Sequence, residues 1–413
     1  MKWEVAVVGA GPGGAFTARE LAKKGFNVIL FEKERFPRDK LCGGWLTPLV
    51  VKKLGWNENK IKMHRFKNIR VYDPYLNSVL VGDMVDNYTV LREEFDHALA
   101  QDAVDAGVEL KESAAVKSLS LKKDEVQIKS RDQSFSASLV VGADGTHSIV
   151  ARELGLRKRW KKSELIFCMG ALLREPLFKP EHLSEEMMST VQIFLFNFSR
   201  GYGWLSAQER VCNIGLAEFL PHLKEPRKLW KQFINTLKRA GFNFSFHALK
   251  PKGYMYNAVR GPTGPTFGER VLLVGDAGGF ASNLTGEGIG PAIVTAEMAA
   301  SVIERALEKE DFSAHYLKNY EKRWQEAFGD TYLTNYRFLK HYFAGFPILR
   351  RYALKNLVPF LEAVNTIPEL KSALLRGFTD FRASSEIFSL GKPHLSALAL
   401  AFLKNKFKRL IHT

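Results

Sequence analysis

Three glycines near the N-terminus have the spacing of a turn that binds phosphate groups. Gly9, Gly11 and Gly14 follow an apolar run at residues 5–8 and precede a helical stretch at residues 15–24. Gly9 permits a tight turn, Gly11 lets the backbone approach a pyrophosphate, and Gly14 allows the helix to pack closely on the strand. The N-terminus of the helix carries a partial positive charge and stabilises an anion placed there. The segment therefore predicts a strand, a turn and a helix around a dinucleotide.

A carboxylate follows at the distance that such a turn requires. Glu32 comes directly after a second β-branched and aromatic run, residues 28–31, about 20 residues beyond the turn. There its carboxylate can accept hydrogen bonds from both hydroxyls of an adenosine ribose, and it would repel a 2′-phosphate. Gly13 completes the glycine turn. These residues predict a βαβ dinucleotide site and leave FAD and NAD as alternatives.

Two aspartates stand where later apolar strands end. Asp144 follows the run at residues 139–141, and Asp276 follows the run at residues 271–274. Asp276 is placed to bind hydroxyl groups of a ligand at the end of its strand. Asp144 has two interpretations, which are a ligand contact and a cap on the helical stretch that begins near Ser148.

The residues beyond Asp276 favour a flavin over a nicotinamide. Gly286, Gly288 and Ile289 precede an alanine-rich stretch at residues 292–307 that has high helix propensity. A helix start with exposed amide groups stabilises negative charge, such as that on the N1/C2 carbonyl edge of a reduced flavin. A nicotinamide does not need this interaction, so the segment predicts FAD.

One thiol and two aromatic side chains are candidate catalytic groups. Cys42 precedes Gly43 and Gly44, and glycines in this loop let the backbone approach an isoalloxazine ring. Cys42 is either a small buried hydrophobic residue or a functional thiol. Tyr202 and Trp204 alternate along a strand-like run and therefore share one face, either for core packing or for contact with a substrate.

The three separated motifs resemble those of known flavoproteins. They resemble the fingerprints of the para-hydroxybenzoate hydroxylase-like superfamily, which binds FAD, at Gly9-x-Gly11-x-x-Gly14, Asp144-Gly145 and Gly275-Asp276. Residues 35–44 and 285–289 resemble more narrowly the geranylgeranyl reductase family. The resemblance covers roughly residues 1–310. It implies an FAD-dependent oxidoreductase that reduces double bonds of an isoprenoid chain.

The resemblance also assigns roles to further residues. By similarity, Arg92 contacts the ribityl-pyrophosphate region of FAD, the backbone of Val116 contacts adenine, and Asp276 holds the ribityl chain. Without the resemblance, Arg92 is a solvated charge at the start of a helix. The implied electron donor is either NAD(P)H or a reduced carrier protein, and the sequence does not choose between them.

The aromatic motif leaves the substrate open. The reductase family carries Tyr-x-Trp-x-Phe-Pro facing its substrate, and this chain matches only the first half, at Tyr202 and Trp204. The implied substrate is a hydrophobic small molecule or a lipid. No histidine or carboxylate pair stands out as a proton donor, which leaves Cys42 or water. A monooxygenase on the same scaffold is the alternative reaction, whereas the Trp-x-Trp-x-Ile-Pro motif of halogenases does not occur in the sequence.

Because the cofactor motifs are separated, the cofactor domain has to be discontinuous. Strand-like runs such as residues 191–198 lie between the motifs, and helical composition dominates after them. We predict an α/β fold in three parts: a Rossmann-like FAD-binding domain (residues 1–70, 91–165 and 260–330), a substrate domain containing a β-sheet (71–90 and 166–259) and a helical C-terminal region (331–413).

The C-terminal residues have the pattern of an amphipathic basic helix. Apolar side chains recur there at helical spacing, at Leu400, Leu403, Phe407, Leu410 and Ile411. Basic side chains flank them at Lys404, Lys406, Lys408 and Arg409. Such a helix lies either on an anionic membrane surface or on the protein, with its charged face in solvent.

The formal charge of +16 favours an anionic partner, whether nucleic acid, an acidic lipid surface or a phosphorylated ligand. The sequence contains no helix-turn-helix or zinc-finger pattern, so we expect no nucleic-acid partner. Three cysteines without a CxxC pair indicate neither a disulfide framework nor a metal site. No window reaches the roughly 18 to 20 apolar residues of a membrane span, and no signal peptide begins the chain. We expect a cytoplasmic protein, with membrane contact, if any, confined to the surface.

Overall fold

The computed structural model describes residues 2–56, 59–131, 133–179, 181, 183–196, 201–344, 347–391 and 394–411. Side chains are described for these residues except 341–344, 347–350 and 406–411. The strands are β1 (Lys2–Val8), β2 (Val28–Phe31), β3 (Trp45–Leu46), β4 (His64–Phe66), β5 (Asn68–Tyr72), β6 (Ser78–Val81), β7 (Asn87–Thr89), β8 (Glu109–Lys111), β9 (Val116–Leu121), β10 (Val126–Ser130), β11 (Gln133–Gly142), β12 (Leu165–Arg174), β13 (Thr190–Phe194), β14 (Tyr202–Gln208), β15 (Val211–Phe219), β16 (Lys252–Asn257), β17 (Phe267–Gly268) and β18 (Val271–Leu273).

The helices occupy the intervals between the strands and most of the C-terminal region. They are α1 (Pro12–Ala22), α2 (Pro48–Leu54), α3 (Arg92–Asp105), α4 (Ile149–Glu153), α5 (Glu185–Met188), α6 (Pro226–Arg239), α7 (Ile289–Glu308), α8 (Ala314–Trp324), α9 (Asp330–Ala344), α10 (Pro347–Lys355), α11 (Leu357–Asn365), α12 (Pro368–Thr379), α13 (Glu386–Leu390) and α14 (Leu395–Ile411). Among the described residues, no helix is both long and apolar enough to cross a membrane.

The first sheet has the parallel arrangement of a Rossmann-like fold. Its strand order is β17-β18-β11-β1-β2-β8, and β1 pairs in parallel with both β2 and β11. These strands are continuous apolar runs because α1, α3 and α7 cover one face, while α4 and the β9–β10 hairpin cover the other. The carboxyl ends of the parallel strands meet at one edge, so the turns after β1, β2, β11 and β18 lie there together. The predicted α/β fold class is confirmed.

A second sheet, with strand order β16-β12-β15-β14-β13-β5-β6, forms the other layer. One of its faces packs on α6 through an aromatic core that includes Phe194, Trp230 and Phe233. Its other face carries Cys168, Tyr202, Trp204 and Tyr256. These strands fall within or next to the predicted substrate domain, although β5 spans the proposed boundary at residue 70. The domain bounds themselves remain a prediction.

Two helices begin earlier than the sequence pattern indicated. α1 starts at Pro12 instead of residue 15, and α7 starts at Ile289 instead of residue 292. Proline is tolerated in the first turn of a helix because its missing N–H would have no partner there. The glycine- and proline-rich segments that the sequence pattern predicts as turns are therefore helix starts. The predicted strand at residues 191–198 is β13, which ends at Phe194, and residues 197–198 lie outside the described part of the chain.

A buried carboxylate ties the loop after β2 to α3. Asp96 is fully buried, and Arg92 forms two hydrogen bonds to it, at 2.8 and 2.7 Å. Arg38 Nη1 lies 2.9 Å from Asp96 Oδ2. Arg38 also donates to the Ala10 carbonyl at 3.3 Å. The loop, the helix and the glycine turn thus share one network of charges.

We predict that the substitution Gly14→Ala destabilises the flavin-free protein by about 1–3 kcal/mol or more. A Cβ at Gly14 would lie 1.8 Å from the Gly9 carbonyl oxygen, and that backbone cannot move away cheaply. The control is Gly11→Ala, because Gly11 has φ −74° and its nearest neighbour would be 3.9 Å away. The control should cost less than about 1 kcal/mol. Urea denaturation measures both, and equal losses would contradict the packing role of Gly14.

We also predict that Asp96→Ala lowers the free energy of unfolding by about 3–5 kcal/mol, because the buried Arg92 guanidinium loses its counter-ion and Arg38 keeps only Glu32. The matched control is Glu209→Ala, which removes the carboxylate of the solvent-exposed pair with Lys62. That change should cost at most about 1 kcal/mol. Thermal and urea unfolding measure the free energy of unfolding of both variants. A loss below about 1 kcal/mol for Asp96→Ala would show that the network does not stabilise the fold.

Candidate functional site

The glycine turn forms an open cradle at the edge of the first sheet. Gly9 has φ +98°, and a Cβ there would lie 2.5 Å from the Ala143 carbonyl oxygen. Gly11 has open space around it, with only Arg38 Nη2 at 3.9 Å from an added Cβ. Gly13 and Gly14 are buried in the first turn of α1. The cradle leaves backbone amides at a helix start accessible to a phosphate group.

Glu32 sits beside this cradle at the end of β2. Its Oε2 atom accepts a hydrogen bond from the Ala10 amide at 3.1 Å, and its Oε1 atom accepts one from the Glu34 amide at 3.1 Å. Arg38 Nε lies 3.3 Å from Glu32 Oε2. Glu32 is only 4% exposed, so its orientation is set by these contacts before any ligand binds. This placement fits contact with a ribose.

Val116 lies near the same end of the site. The amide of Ala114, two residues earlier, donates to the Glu32 carbonyl oxygen at 2.7 Å. Val116 itself is partly buried and begins β9. Its predicted backbone contact to adenine is compatible with this position and remains a prediction.

Asp144 uses one oxygen as a helix cap. Its Oδ2 atom accepts hydrogen bonds from the amides of Ile149 and Val150 at the start of α4, at 2.7 and 3.2 Å. The capping interpretation of Asp144 is therefore the one that these contacts support. The Oδ1 atom is buried without a hydrogen-bond partner among the described residues. Burial raises the pKa of Asp144, against the hydrogen bonds that lower it. The second oxygen is available to a ligand.

Asp276 and the glycines before α7 lie next to each other. Asp276 lies in the 3-10 turn Gly275–Ala277, and its Oδ2 atom accepts a hydrogen bond from the Tyr254 hydroxyl at 3.0 Å. A Cβ on Gly288 would lie 3.6 Å from Asp276 Oδ1. Ile289 is buried as the first residue of α7. The structure therefore brings the predicted ribityl-binding aspartate to the start of the predicted flavin-binding helix.

The aromatic residues of β14 contact this segment. The Tyr202 hydroxyl donates to the Thr285 carbonyl oxygen at 3.0 Å, and a Cβ on Gly286 would lie 2.9 Å from that hydroxyl. Trp204 lies against Gly215, where an added Cβ would be 2.1 Å from the indole ring. The ring centroids of Tyr202 and Trp204 are 6.1 Å apart. The prediction that Tyr202 and Trp204 share one face of their strand is confirmed. This face borders residues 285 and 286, shortly before α7.

The Cys42 loop approaches the same face from the first sheet. Asn213 Nδ2 donates to the Cys42 carbonyl oxygen at 2.7 Å, while Asn213 Oδ1 accepts from Trp204 Nε1 at 3.0 Å. Gly43 would place a Cβ 3.9 Å from Trp204 Nε1. Gly44 has φ +72° and lies against Val90, so a side chain there would collide with the backbone. Cys42 is partly buried and packs against the hydrophobic core of the first sheet, and its functional role remains a prediction.

Arg92 is buried against Asp96, so its interpretation as a solvated charge is wrong. Burial acts to lower the pKa of Arg92, but the Asp96 carboxylate and the Cys42 side chain raise it above its ordinary value. The guanidinium is thus a permanent positive charge beside the Cys42 loop. Its predicted contact to the ribityl-pyrophosphate region remains a prediction.

Sequence reasoning missed two groups that occupy the site. The Lys40 ammonium lies 2.7 Å from the centroid of the Tyr254 ring. Burial and the neighbouring Arg92 lower the pKa of Lys40 to about 8, although nearby carboxylates act against this. Glu287 Oε1 is buried without a partner among the described residues, and burial together with Asp380 raises the pKa of Glu287 to about 8. Lys40 lies in the motif at residues 35–44, and Glu287 lies in the motif at residues 285–289. Their positions in these motifs are the sequence signal that could have identified them.

The arrangement fits FAD. The cradle suits a pyrophosphate, Glu32 suits a ribose, and the buried oxygens Asp144 Oδ1 and Glu287 Oε1 lack partners as ligand-facing atoms do. Within the described part of the chain, no cluster of three histidine, cysteine, aspartate or glutamate side chains could hold a metal ion.

Known proteins share this sequence pattern. A family model described as FAD binding domain matches residues 2–327. The chain is 29% identical over 348 residues to the digeranylgeranylglycerophospholipid reductase of Methanothrix thermoacetophila, which covers 80% of this chain and 84% of that protein. It is 26% identical over 353 residues to the protein of the same name from Methanocaldococcus jannaschii, with coverage of 82% and 86%.

Solved structures share the fold. A geranylgeranyl bacteriochlorophyll reductase-like protein from Thermoplasma acidophilum superimposes with a TM-score of 0.75 at 21% identity, covering 86% of this chain and 91% of that one. A flavin-dependent brominase superimposes with a TM-score of 0.67 at 20% identity, covering 90% and 93%. The predicted resemblance and the predicted FAD cofactor are both confirmed. Because the family model spans most of the chain, this protein belongs to the FAD-binding domain family and is an FAD-dependent oxidoreductase.

Proposed function

We propose that this enzyme reduces carbon–carbon double bonds of an isoprenoid chain carried by a lipid or a quinone. The similarity to relatives named digeranylgeranylglycerophospholipid reductase supports this reaction. The observation that carries the proposal is a cluster of uncharged side chains, Tyr202, Trp204 and Tyr256 around Cys168, which we call the wall. The wall lies beside residues 285–289, the segment before α7. An isolated alkene offers no polar group to recognise, so its orientation depends on packing against such a wall.

Burial keeps this wall neutral. It raises the pKa of Tyr202 and Tyr256 above that of an ordinary phenol, and it raises the pKa of Cys168 to about 12. All three side chains are therefore protonated at neutral pH. Trp204 and Tyr256 are each 8% exposed, so the wall also excludes most water. Hydride transfer to an alkene is favoured in such a dry environment.

Cys42 is the proton donor that we assign to this reaction. When bound and reduced, FAD supplies a hydride to one carbon of the double bond. The second carbon takes the proton of the Cys42 thiol, whose S–H bond breaks as the new C–H bond forms. The resulting thiolate lies beside the Arg92 guanidinium, which interacts with the Cys42 side chain. A solvent proton then restores the thiol through the cavity that Cys42 lines.

We predict that Cys42→Ala slows alkene reduction by about 10²–10⁴-fold, the usual contribution of a general acid. The measurement is the single-turnover oxidation of dithionite-reduced, FAD-loaded enzyme by a polyprenyl alkene, with identification of the saturated product. Dithionite makes the assay independent of whether NAD(P)H or a carrier protein is the donor. The matched control is Cys212→Ala, which removes a thiol buried in the core under α6.

The outcomes separate the alternatives. Equal rates for Cys42→Ala and Cys212→Ala would remove Cys42 as the proton donor and leave water in that role. Absence of any reduced polyprenyl product with the FAD-loaded protein would contradict the reductase proposal. Oxygen consumption with stoichiometric hydroxylated product would establish the monooxygenase alternative instead.

We further propose that α14 binds an anionic membrane surface, which would suit a lipid substrate. The helix packs on the protein through Leu398, which is 8% exposed, whereas Leu400 is 72% exposed and Leu403 is 49% exposed. Lys404 next to them is exposed as well. Exposed leucines beside a basic residue suit the boundary between acyl chains and acidic headgroups. The side chains of Phe407, Leu410 and Ile411 lie outside the described part of the chain.

We predict that the double substitution Leu400→Glu and Leu403→Glu weakens binding to vesicles containing phosphatidylglycerol by at least about tenfold, because two apolar side chains lose their burial in lipid. Vesicle co-sedimentation measures the affinity. The control is Leu333→Glu on α9, which changes another exposed leucine. Unchanged sedimentation of the double variant would mean that α14 is only a docked helix.

A further inference from the structure

A residue of the second sheet, Tyr254, reaches the candidate FAD site of the first sheet. It lies on β16, the strand at one end of the second sheet, where it pairs with Cys168 of β12. Its side chain is partly buried and packs against the wall. Tyr254 belongs to none of the predicted cofactor motifs, so the packing of the two sheets is what brings it there.

The Tyr254 hydroxyl contacts two of the three segments that are predicted to bind FAD. It donates a hydrogen bond to Asp276 Oδ2 at 3.0 Å. Thr146 Oγ1 lies 3.5 Å from the same hydroxyl, and a Cβ on Gly145 would lie 3.4 Å from it. A phenol has a single proton to donate. Because Tyr254 gives this proton to Asp276, Thr146 has to be the donor in the other contact.

The Asp276 carboxylate takes its orientation from this hydrogen bond. Among the side chains and amides that the structure describes, no other group donates a hydrogen bond to either of its oxygens. The Oδ1 atom faces Gly288, next to the start of α7, where an added Cβ would lie 3.6 Å away. A carboxylate that is held at one oxygen presents the other oxygen in a fixed direction. Oδ1 is therefore the atom left for the predicted contact of Asp276 with the ribityl chain.

The phenol of Tyr254 is itself held in place before any ligand binds. The Lys40 ammonium lies 2.7 Å from the centroid of its ring. A cation over an aromatic face is attracted by the ring, and the attraction is stronger away from water. Burial and the Asp276 carboxylate raise the pKa of Tyr254 above that of an ordinary phenol. The hydroxyl therefore keeps its proton at neutral pH and remains a donor to Asp276.

We propose that Tyr254 is a positioning residue for FAD, whose hydroxyl fixes the Asp276 carboxylate so that Oδ1 is directed at the ribityl chain. A strand of the second sheet thereby contributes to the cofactor site of the first sheet. Groups that are oriented before the ligand arrives lower the cost of binding it. The proposal rests on the FAD site and on the predicted role of Asp276, and it does not depend on the reduction of an alkene.

The test is the affinity of the full-length, flavin-free protein for FAD, measured by isothermal titration calorimetry. Tyr254→Phe keeps the ring, and with it the Lys40 contact, and removes only the hydroxyl. Its Kd for FAD should rise at least about tenfold, because the Asp276 carboxylate loses the contact that orients it. The matched control is Tyr72→Phe, which removes a hydroxyl of the second sheet that donates to Gln192 Oε1 at 3.2 Å. The control should leave the Kd unchanged.

A double-variant cycle tests whether Tyr254 acts through Asp276. If it does, Tyr254→Phe should have no further effect on the Kd when it is combined with Asp276→Ala, although each change alone weakens binding. Equal losses of affinity with and without the Asp276 carboxylate would contradict the positioning role. An unchanged Kd in Tyr254→Phe, or an equal rise in Tyr72→Phe, would overturn the proposal.

Urea unfolding of the flavin-free variants separates positioning from stability. Tyr254→Phe and Tyr72→Phe each remove one hydrogen bond, so their unfolding midpoints should fall by similar amounts. A much larger fall for Tyr254→Phe would mean that the hydroxyl stabilises the fold, and the weaker binding of FAD would then have that cause instead. None of these measurements involves an alkene, so failure of the proposed reductase function would leave their outcome unaffected.

Discussion

The site depends on one buried carboxylate, that of Asp96, which has to neutralise two arginines at once. Arg92 reaches it from the first turn of α3, and Arg38 reaches it from the loop after β2. Arg38 continues to the Ala10 carbonyl and to Glu32, so the same charge network reaches the glycine turn. Leaving any of these charges unpaired in the interior would cost several kcal/mol. We infer that the loop has only one favourable position between the cofactor cradle and α3.

That position determines where Cys42 lies. Gly44, with a backbone conformation that other residues adopt at a cost, accepts a hydrogen bond from the Val90 amide at 2.9 Å and holds the end of the loop. Asn213 holds the middle of the loop through the Cys42 carbonyl and holds Trp204 with its other side-chain atom. The thiol is thereby fixed between an aromatic wall and the Arg92 guanidinium. Two sheets that fold from separate parts of the chain are joined at this asparagine.

The sequence predicted those features that follow from spacing along the chain. The glycine turn and Glu32 are predictable because a strand, a turn and a helix of ordinary length bring them together without help from the rest of the fold. Asp96 and Lys40 were not assigned a role, because their partners depend on how distant segments pack. Lys40 contacts Tyr254 from the second sheet, more than two hundred residues away in the sequence. The burial of Arg92 could not be predicted for the same reason. It depends on the loop after β2, which packs on α3, and the sequence of α3 does not show this contact.

The net charge of +16 predicted an anionic partner without placing it, and the fold shows why placement matters. Around Trp204 and Tyr256 the wall is apolar and its ionisable groups are protonated. Two cations border this wall: the Lys40 ammonium contacts the Tyr254 ring at its edge, and Arg92 lies beside Cys42. Charge within the wall would be poorly solvated and would bind water at the place where we propose that an alkene packs. Charge at the edge of the wall does not carry that cost, so Lys40 and Arg92 can contribute positive charge there while the wall itself stays apolar.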